Sequence, residues 1–382
     1  MTDFPPIRLH PIADVNHGWV ALLLDAPAPL DCHQLARLFG EFGLFEALGH
    51  LPCVVDISSA HGNDEIDALV PAEQIILRLP AAACIDEADC RAIAALRRLG
   101  FHLMASGMPS AEQKLCPDVE SIAAACDDAD VIGRLAAAPA GHHLALAVDA
   151  PLQFQRARQA GFSWLAGDYP LQPADTRQNG NGTRHALLLQ LLTLISRDAE
   201  SRAIEEVFKQ DAHLSYQLLR LVNSVAFSLS NKITSFGQAI MLLGRRQLQR
   251  WLQLLLYARA EGGGKSPLLP RAAARAALME RLCPKRELQD RAFMVGMFSL
   301  LDVMLDNSLA RIVEPLNLAD EVVQALLERS GPLGPAMRLT EASERRDGTL
   351  DQAMAEAGID APAWAMALVH SYRWAIQVSA EA

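Results

Sequence analysis

Residues 211–256, DAHLSYQLLRLVNSVAFSLSNKITSFGQAIMLLGRRQLQRWLQLLL, carry apolar side chains at helical spacing. Over 211–226, Leu214, Leu218, Leu221, Val222 and Val225 fall on one side, the stripe of a core-facing helix. A second helix opens at Ser235 with Gln238 three residues on, a capping-box arrangement, and closes at Gly244. From Ala186 onward nearly everything reads as helix. Glu261–Pro270 is the main interruption and Gly331–Gly334 a second.

Upstream of this stretch the pattern changes. Short apolar runs at Val20–Leu24, Cys53–Ile57, Gln74–Leu79, His102–Ala105 and Leu144–Val148 read as strands. Helical segments such as Asp86–Leu99 lie between them. Strand and helix in alternation predict a parallel sheet or an α/β barrel. Pro173–His185, with Asn-Gly twice and no periodicity, reads as a linker. The expected division is 1–173, a linker at 174–185, and a helical domain at 186–382, each domain with its own core.

Charge follows the same division. Residues 1–180 carry a net charge of −12 and the remainder +1, so an acidic first half argues against nucleic acid as a partner. No apolar run approaches the about 20 residues of a membrane span. The proline-broken start, Met1 to Ile12, lacks an export pattern, and a cytoplasmic location is expected. Seven cysteines without CxxC spacing are expected to be reduced, mostly buried thiols, neither ligands nor bridges.

The stretch 211–256 resembles the core of the HDOD family. The resemblance rests on Asp211, on Leu218 running into Asn223-Ser224, on Ile233, on Ala239-Ile240 and on Leu243-Gly244. The first half is similar to EAL domains, which hydrolyse cyclic di-GMP. The pieces are His10-Pro11-Ile12, Gly18-Trp19, Val54–Ser58, Arg98–Leu103, Ala145–Ala150 and Gly161–Pro173. The resemblance implies a degenerate, shortened α/β barrel followed by an HDOD helical bundle. About 175 residues are few for an eight-stranded barrel, so some of its elements are expected to be trimmed or lost.

An EAL enzyme needs several carboxylates and an Asn around divalent metals, and a lysine near the attacking water. The resemblance puts Val20 at the name-giving Glu and Asp56 at the Asn. Arg78 stands in the paired-Glu strand, and Ala105 falls where an acid belongs. The lysine position falls near Ser121, while Leu146 and Asp149 cover the Glu-Gly-Val-Glu element and Ala166 the late Gln. Only Asp56 and Asp149 keep a carboxylate. The literal Glu46-Ala47-Leu48 lies off the first strand and is set aside. In the helical half, Ser299-Leu300 stands where an HD phosphohydrolase shows His-Asp, and His213 and His370 read as structural.

Other features carry two readings each. His142-His143 could bind metal but reads as solvated loop. Asp127, Asp128 and Asp130 lack the Gly and Glu of a calcium loop and read as a solvated turn. Arg245 and Arg246, with Arg250, either contact a partner or solvate a helix start. Asn223-Ser224 reads as a helix terminator. Residues 251–257 and 297–305 are apolar around most of the helix and are expected to be deeply buried.

The sequence therefore points to a protein without catalysis, cofactor or metal, acting as an adaptor toward another signalling protein in bacteria. A homo-oligomer stays open. The alternatives are a cyclic-dinucleotide receptor that does not hydrolyse, or an enzyme with rewired ligands.

Overall fold

The computed structural model describes residues 4–61, 72–110, 112–135, 138–172, 182–208, 210–211, 214, 236–257, 266–316 and 318–381. Residues 173–181 of the expected linker, most of the 211–226 helix, and Asn223, Ser224 and His213 lie outside the described residues, as does the side chain of Leu243, while residues 182–185, expected in the linker, belong to helix Gly182–Ser196.

Eight strands close into a barrel in chain order: β1 Arg8–Asp14, β2 Trp19–Asp25, β3 Cys53–Asp56, β4 Ile75–Pro80, β5 His102–Ser106, β6 Ser121–Ala125, β7 Leu144–Leu146 and β8 Trp164–Leu165. β1 runs antiparallel to both β2 and β8, and the other pairings are parallel. The interior is filled by Ile12, Leu23, Val54, Ile76, Met104 and Leu144, among others, so the barrel is packed through its middle. All eight strands are therefore present, and the expectation of lost elements holds only for the connections. Between β5 and β6, residues 107–120 form no helix among those described. Helix Glu87–Arg98 matches the sequence reading. Asp86 caps it by accepting the N–H of Asp89, and Arg97 and Arg98 lie in its last turn.

Cys90 and Cys116 form a disulfide, which corrects the expectation of no bridge. The signal was absent from the sequence because two cysteines 26 residues apart meet only once helix Glu87–Arg98 and the 107–120 connection are folded.

The helical half runs from Gly182–Ser196 to Ala361–Glu381. Helix Phe236–Tyr257 is interrupted at Gly244, whose φ of 71° breaks the helix where the sequence placed its end. Leu252, Leu255, Leu256 and Tyr257 are buried, as expected of 251–257. In 297–305 the burial stops at Leu301; Asp302–Leu305 are only half-buried because the short helix Leu301–Leu305 reaches the surface. No helix among the described residues is long and apolar enough to cross a membrane.

Besides the cores of their own, the two halves share one. β1 joins β2 through a tight turn in which the Asp14 carboxylate accepts the N–H groups of Asn16 and Gly18, both at 2.8 Å. Such a hairpin leaves no crossover helix to cover the outer face of β1. The C-terminal helix Ala361–Glu381 covers it instead. Trp364 is fully buried and its indole N–H donates to the Ile7 carbonyl at 2.8 Å. Tyr372 donates to the Leu9 carbonyl and stacks on Trp19 at 5.6 Å. One apolar cluster thus joins barrel residues such as Leu22, Leu38 and Phe101 to Leu339, Trp364 and Leu368 of the bundle. A second cluster belongs to the bundle apart from its half-buried edge contact at Leu171.

Candidate functional site

The carboxyl ends of barrel strands are where α/β barrels place their chemistry. Asp56 ends β3 and Arg78 sits opposite it on β4, in register. The guanidinium clasps the carboxylate with two bonds, Nε to Oδ1 at 2.5 Å and Nη2 to Oδ2 at 2.8 Å. Both oxygens of Asp56 are thereby directed at a fixed cation. A divalent metal would have to displace it, so the residues present do not fit the metal centre that the EAL resemblance implies.

The register row continues from Arg78 to Met104 and on to Ser121, which is buried. The other positions offer no ligand. Val20 sits at an irregularity of the β1–β2 pairing and packs on the barrel interior. Ala105 and Ala166 are buried, and Leu146 packs on the same interior. Asp149 keeps its carboxylate but uses it on backbone, accepting the Asp168 N–H at 3.0 Å. Asp168 in turn accepts from Arg271 of the bundle at 2.8 Å, and Arg271 also donates to the Gly167 carbonyl at 2.6 Å. Gly167 is obligatory there, since a Cβ would lie 2.2 Å from the Val148 carbonyl oxygen. The acids near β7 and β8 hold the barrel to the bundle.

On the β1–β2 side, Arg8 and His10 alternate onto the face of Ile12 and meet Asp25. His10 Nε2 lies 3.4 Å from Asp25 Oδ2 and 3.4 Å from Arg346 Nε of the bundle. Burial pushes the His10 imidazole below its usual range, opposed by the hydrogen bond to Asp25. Two buried donors of this mouth, Arg8 Nε and Arg78 Nη1, have no hydrogen-bond partner among the described residues, as is true of Arg245 Nη1 and Arg250 Nε in the bundle.

In the bundle, Ser299, which the resemblance sets against the His of an HD enzyme, donates to the Gly296 carbonyl at 2.7 Å and accepts from Arg275 Nη1 at 2.9 Å. Arg275 also grips Glu344 with Nε to Oε1 at 2.7 Å and Nη2 to Oε2 at 2.6 Å. Burial pushes the Glu344 carboxyl up, but the Arg275 charge and hydrogen bonds outweigh it and hold the group below the usual carboxylate range. Leu300 is buried in the apolar cluster. The sequence reading missed Arg275 and Glu344. They lie 69 residues apart, and nothing in their neighbours signals burial.

Among the motif residues of the bundle, Asp211 accepts the Leu214 N–H at 3.1 Å, as an N-terminal cap does. Arg245 donates to the Ala199 carbonyl at 2.6 Å. Arg246 pairs with Asp290 at 2.6 Å, and Arg250 pairs with Asp290 and Glu280 and lies 4.4 Å from the Phe293 ring centre. Their charges are largely answered within the bundle, with Arg246 the most exposed.

Three loop readings are settled by contacts. Glu46 of the literal Glu-Ala-Leu lies on the short helix Leu44–Leu48 and pairs with Arg373 at 3.2 Å. His143, read as solvated, is instead buried, and its Nδ1 accepts the Ile122 N–H at 3.2 Å. His142 is exposed and stacks on Trp164. Asp128 caps helix Ala129–Arg134 and Asp130 pairs with Arg134, as a solvated turn would. No group of three His, Cys, Asp or Glu converges among the described residues.

Residues 185–314 match the model of the HDOD domain. The chain is 32% identical over 254 residues to the cyclic di-GMP phosphodiesterase CdgJ of Vibrio cholerae, a match that covers 65% of this chain and 59% of that protein. It is 34% identical over 190 residues to the uncharacterized protein YuxH of Bacillus subtilis, covering 48% of this chain and 46% of that one. The matches thus span about half the length of these curated relatives. The EAL domain of Mycobacterium smegmatis DcpA aligns at 11% identity and a TM-score of 0.35, over 42% of this chain and 89% of that one. A closed eight-stranded barrel thus stands ahead of a region that matches the HDOD domain, the arrangement that the EAL–HDOD resemblance implies.

Proposed function

We propose that this chain is a catalytically silent adaptor in bacterial signal transduction, working in the cytoplasm through contact with another protein. The observation that carries the reading is the two-bonded Arg78–Asp56 pair, a cation fixed where metal-assisted hydrolysis needs oxygen ligands. The buried Arg275 on Ser299 does the same at the HD position. The link to cyclic di-GMP signalling rests on the relative from Vibrio cholerae, named as a phosphodiesterase. The adaptor reading is tested by affinity capture with the full chain from its native bacterium, followed by reconstitution with each purified candidate. A specific partner that binds the purified chain supports it. Capture should weaken on Arg246→Glu, the most exposed of the three arginines; no reproducible partner would overturn it.

The two partnerless donors, Arg8 Nε and Arg78 Nη1, favour a second reading, a mouth that holds an anionic ligand without cleaving it. Calorimetric titration of the full chain with cyclic di-GMP separates the two: the adaptor reading expects no saturable heat, the receptor reading a binding isotherm weakened by Arg8→Met.

A further inference from the structure

The β5–β6 connection, residues 107–120, has no covering helix among its described residues. It leaves the mouth at Ser106, which pairs with Pro80 two residues beyond Arg78. At its ends it is held by backbone bonds, Gly107 N–H to the Ala123 carbonyl at 2.7 Å and Glu120 N–H to the Leu103 carbonyl at 3.0 Å. In its middle the described chain leans on one backbone bond to the rest of the barrel, Cys116 N–H to the Cys84 carbonyl at 2.8 Å. Ser110 and Glu112–Lys114 are exposed. Val119 is buried in the barrel's apolar cluster with Leu115 packed beside it, and a covalent tie is added by the Cys90–Cys116 disulfide to helix Glu87–Arg98.

We propose that Cys90 and Cys116 are a redox-responsive clasp that fixes the 107–120 connection, and with it one rim of the barrel mouth. In a reducing compartment, the location proposed above, such a bond stands open at rest and closes on oxidation. Cys90 is half-buried and Cys116 is 2% exposed, so Cys90 is the entry point. Closure needs a small disulfide such as glutathione disulfide as oxidant. The Cys90 thiolate attacks one of its sulfurs, a mixed disulfide forms, and one glutathione thiolate leaves. The Cys116 thiolate then attacks the Cys90 sulfur, the protein bond closes and the second glutathione leaves. The two protons lost by the cysteines end on the two departing thiols, and the two electrons pass to the oxidant. Cys84 is a neighbour that does not compete: it is fully buried, and burial pushes its thiol up to about 11, which leaves almost no thiolate to react.

Lys114 gives a clean readout, because it is exposed and no other lysine precedes residue 209. The full chain is equilibrated with glutathione disulfide or with reduced glutathione, and the Cys90–Cys116 bond is followed by alkylation and mass spectrometry. A lysine-specific protease is then applied. Cleavage after Lys114 should be at least about tenfold faster in the reduced protein, while cleavage after the exposed Lys285 of the bundle stays unchanged. Cys84→Ser should behave as wild type, and Cys90→Ser should cut at the reduced rate in both buffers. The clasp is overturned if no Cys90–Cys116 bond forms under excess glutathione disulfide. It is equally overturned if the bond forms with no change at Lys114, or if cleavage at Lys114 and Lys285 rises together. The comparison of wild type in two buffers stands without any variant.

Discussion

At the barrel mouth, Arg78 holds Asp56 with the carboxylate 44% exposed; in the bundle, Arg275 holds Glu344 with side chains only 8% and 18% exposed. Under the reading proposed here, both arginines stand where a metal site would otherwise need ligands. They differ in what holds them. The mouth pair is wetted on one side, and pairs with an exposed partner contribute little, up to about 1 kcal/mol. The bundle pair has no water to fall back on, so breaking it strands a buried charge. The comparison teaches that the same replacement is nearly neutral at a rim and becomes a structural requirement inside a core.

The largest expected effect therefore falls in the bundle. Glu344→Ala should lower the free energy of unfolding by about 3–5 kcal/mol, and Asp56→Ala by no more than about 1 kcal/mol. Urea denaturation of the two variants checks the order, and a reversal would break the comparison. Trp364→Ala should cost a similar 3–5 kcal/mol, but through the core that both halves share. Because that core is shared, wild type should unfold in one transition seen alike by barrel and bundle probes, and the isolated 1–173 fragment should aggregate with the outer face of β1 bare. A soluble, cooperatively folding 1–173 fragment would show that the C-terminal helix is dispensable.

A smaller effect should follow from pH. Burial holds His10 and His143 below their usual range. The unfolded chain binds their protons near pH 6.5 while the folded chain resists. Their stabilising contribution is complete above about pH 6.5 and declines as pH falls toward their depressed folded values. The Glu344 contribution is complete above about pH 4.3 and is lost as pH falls through its depressed folded value. Urea midpoints at pH 7.5, 6 and 5 should fall in that order, and His10→Gln should flatten the series. The smallest effect is expected at Arg246, 57% exposed, where Arg246→Glu should change stability by no more than about 1 kcal/mol.

Strands buried on both faces were legible because they write themselves as apolar runs, as at Cys53–Asp56 and Ile75–Pro80. β1 was hidden by Pro11, which cannot donate to a ladder. Alanine-rich β6 has weak strand character, and β8 is two residues long. At the site, the residue types were legible one by one: Val20, Arg78 and Ser299 each read as a missing ligand. What replaces those ligands was not legible. Arg78 reaches Asp56 only through strand register, Arg275 reaches Glu344 only through helix packing, and Trp364 reaches β1 from 357 residues away. Long-range partners leave no local period for a sequence to display.

The central claim, that two arginine clasps have replaced metal chemistry, is tested most directly by assaying the purified full chain for hydrolysis of cyclic di-GMP with millimolar magnesium or manganese. The account predicts no turnover above the protein-free rate, for the wild type and for Arg78→Glu alike, since Val20, Ala105 and Leu146 supply no oxygen. Metal-dependent turnover that disappears in Asp56→Ala or Asp149→Ala would contradict it.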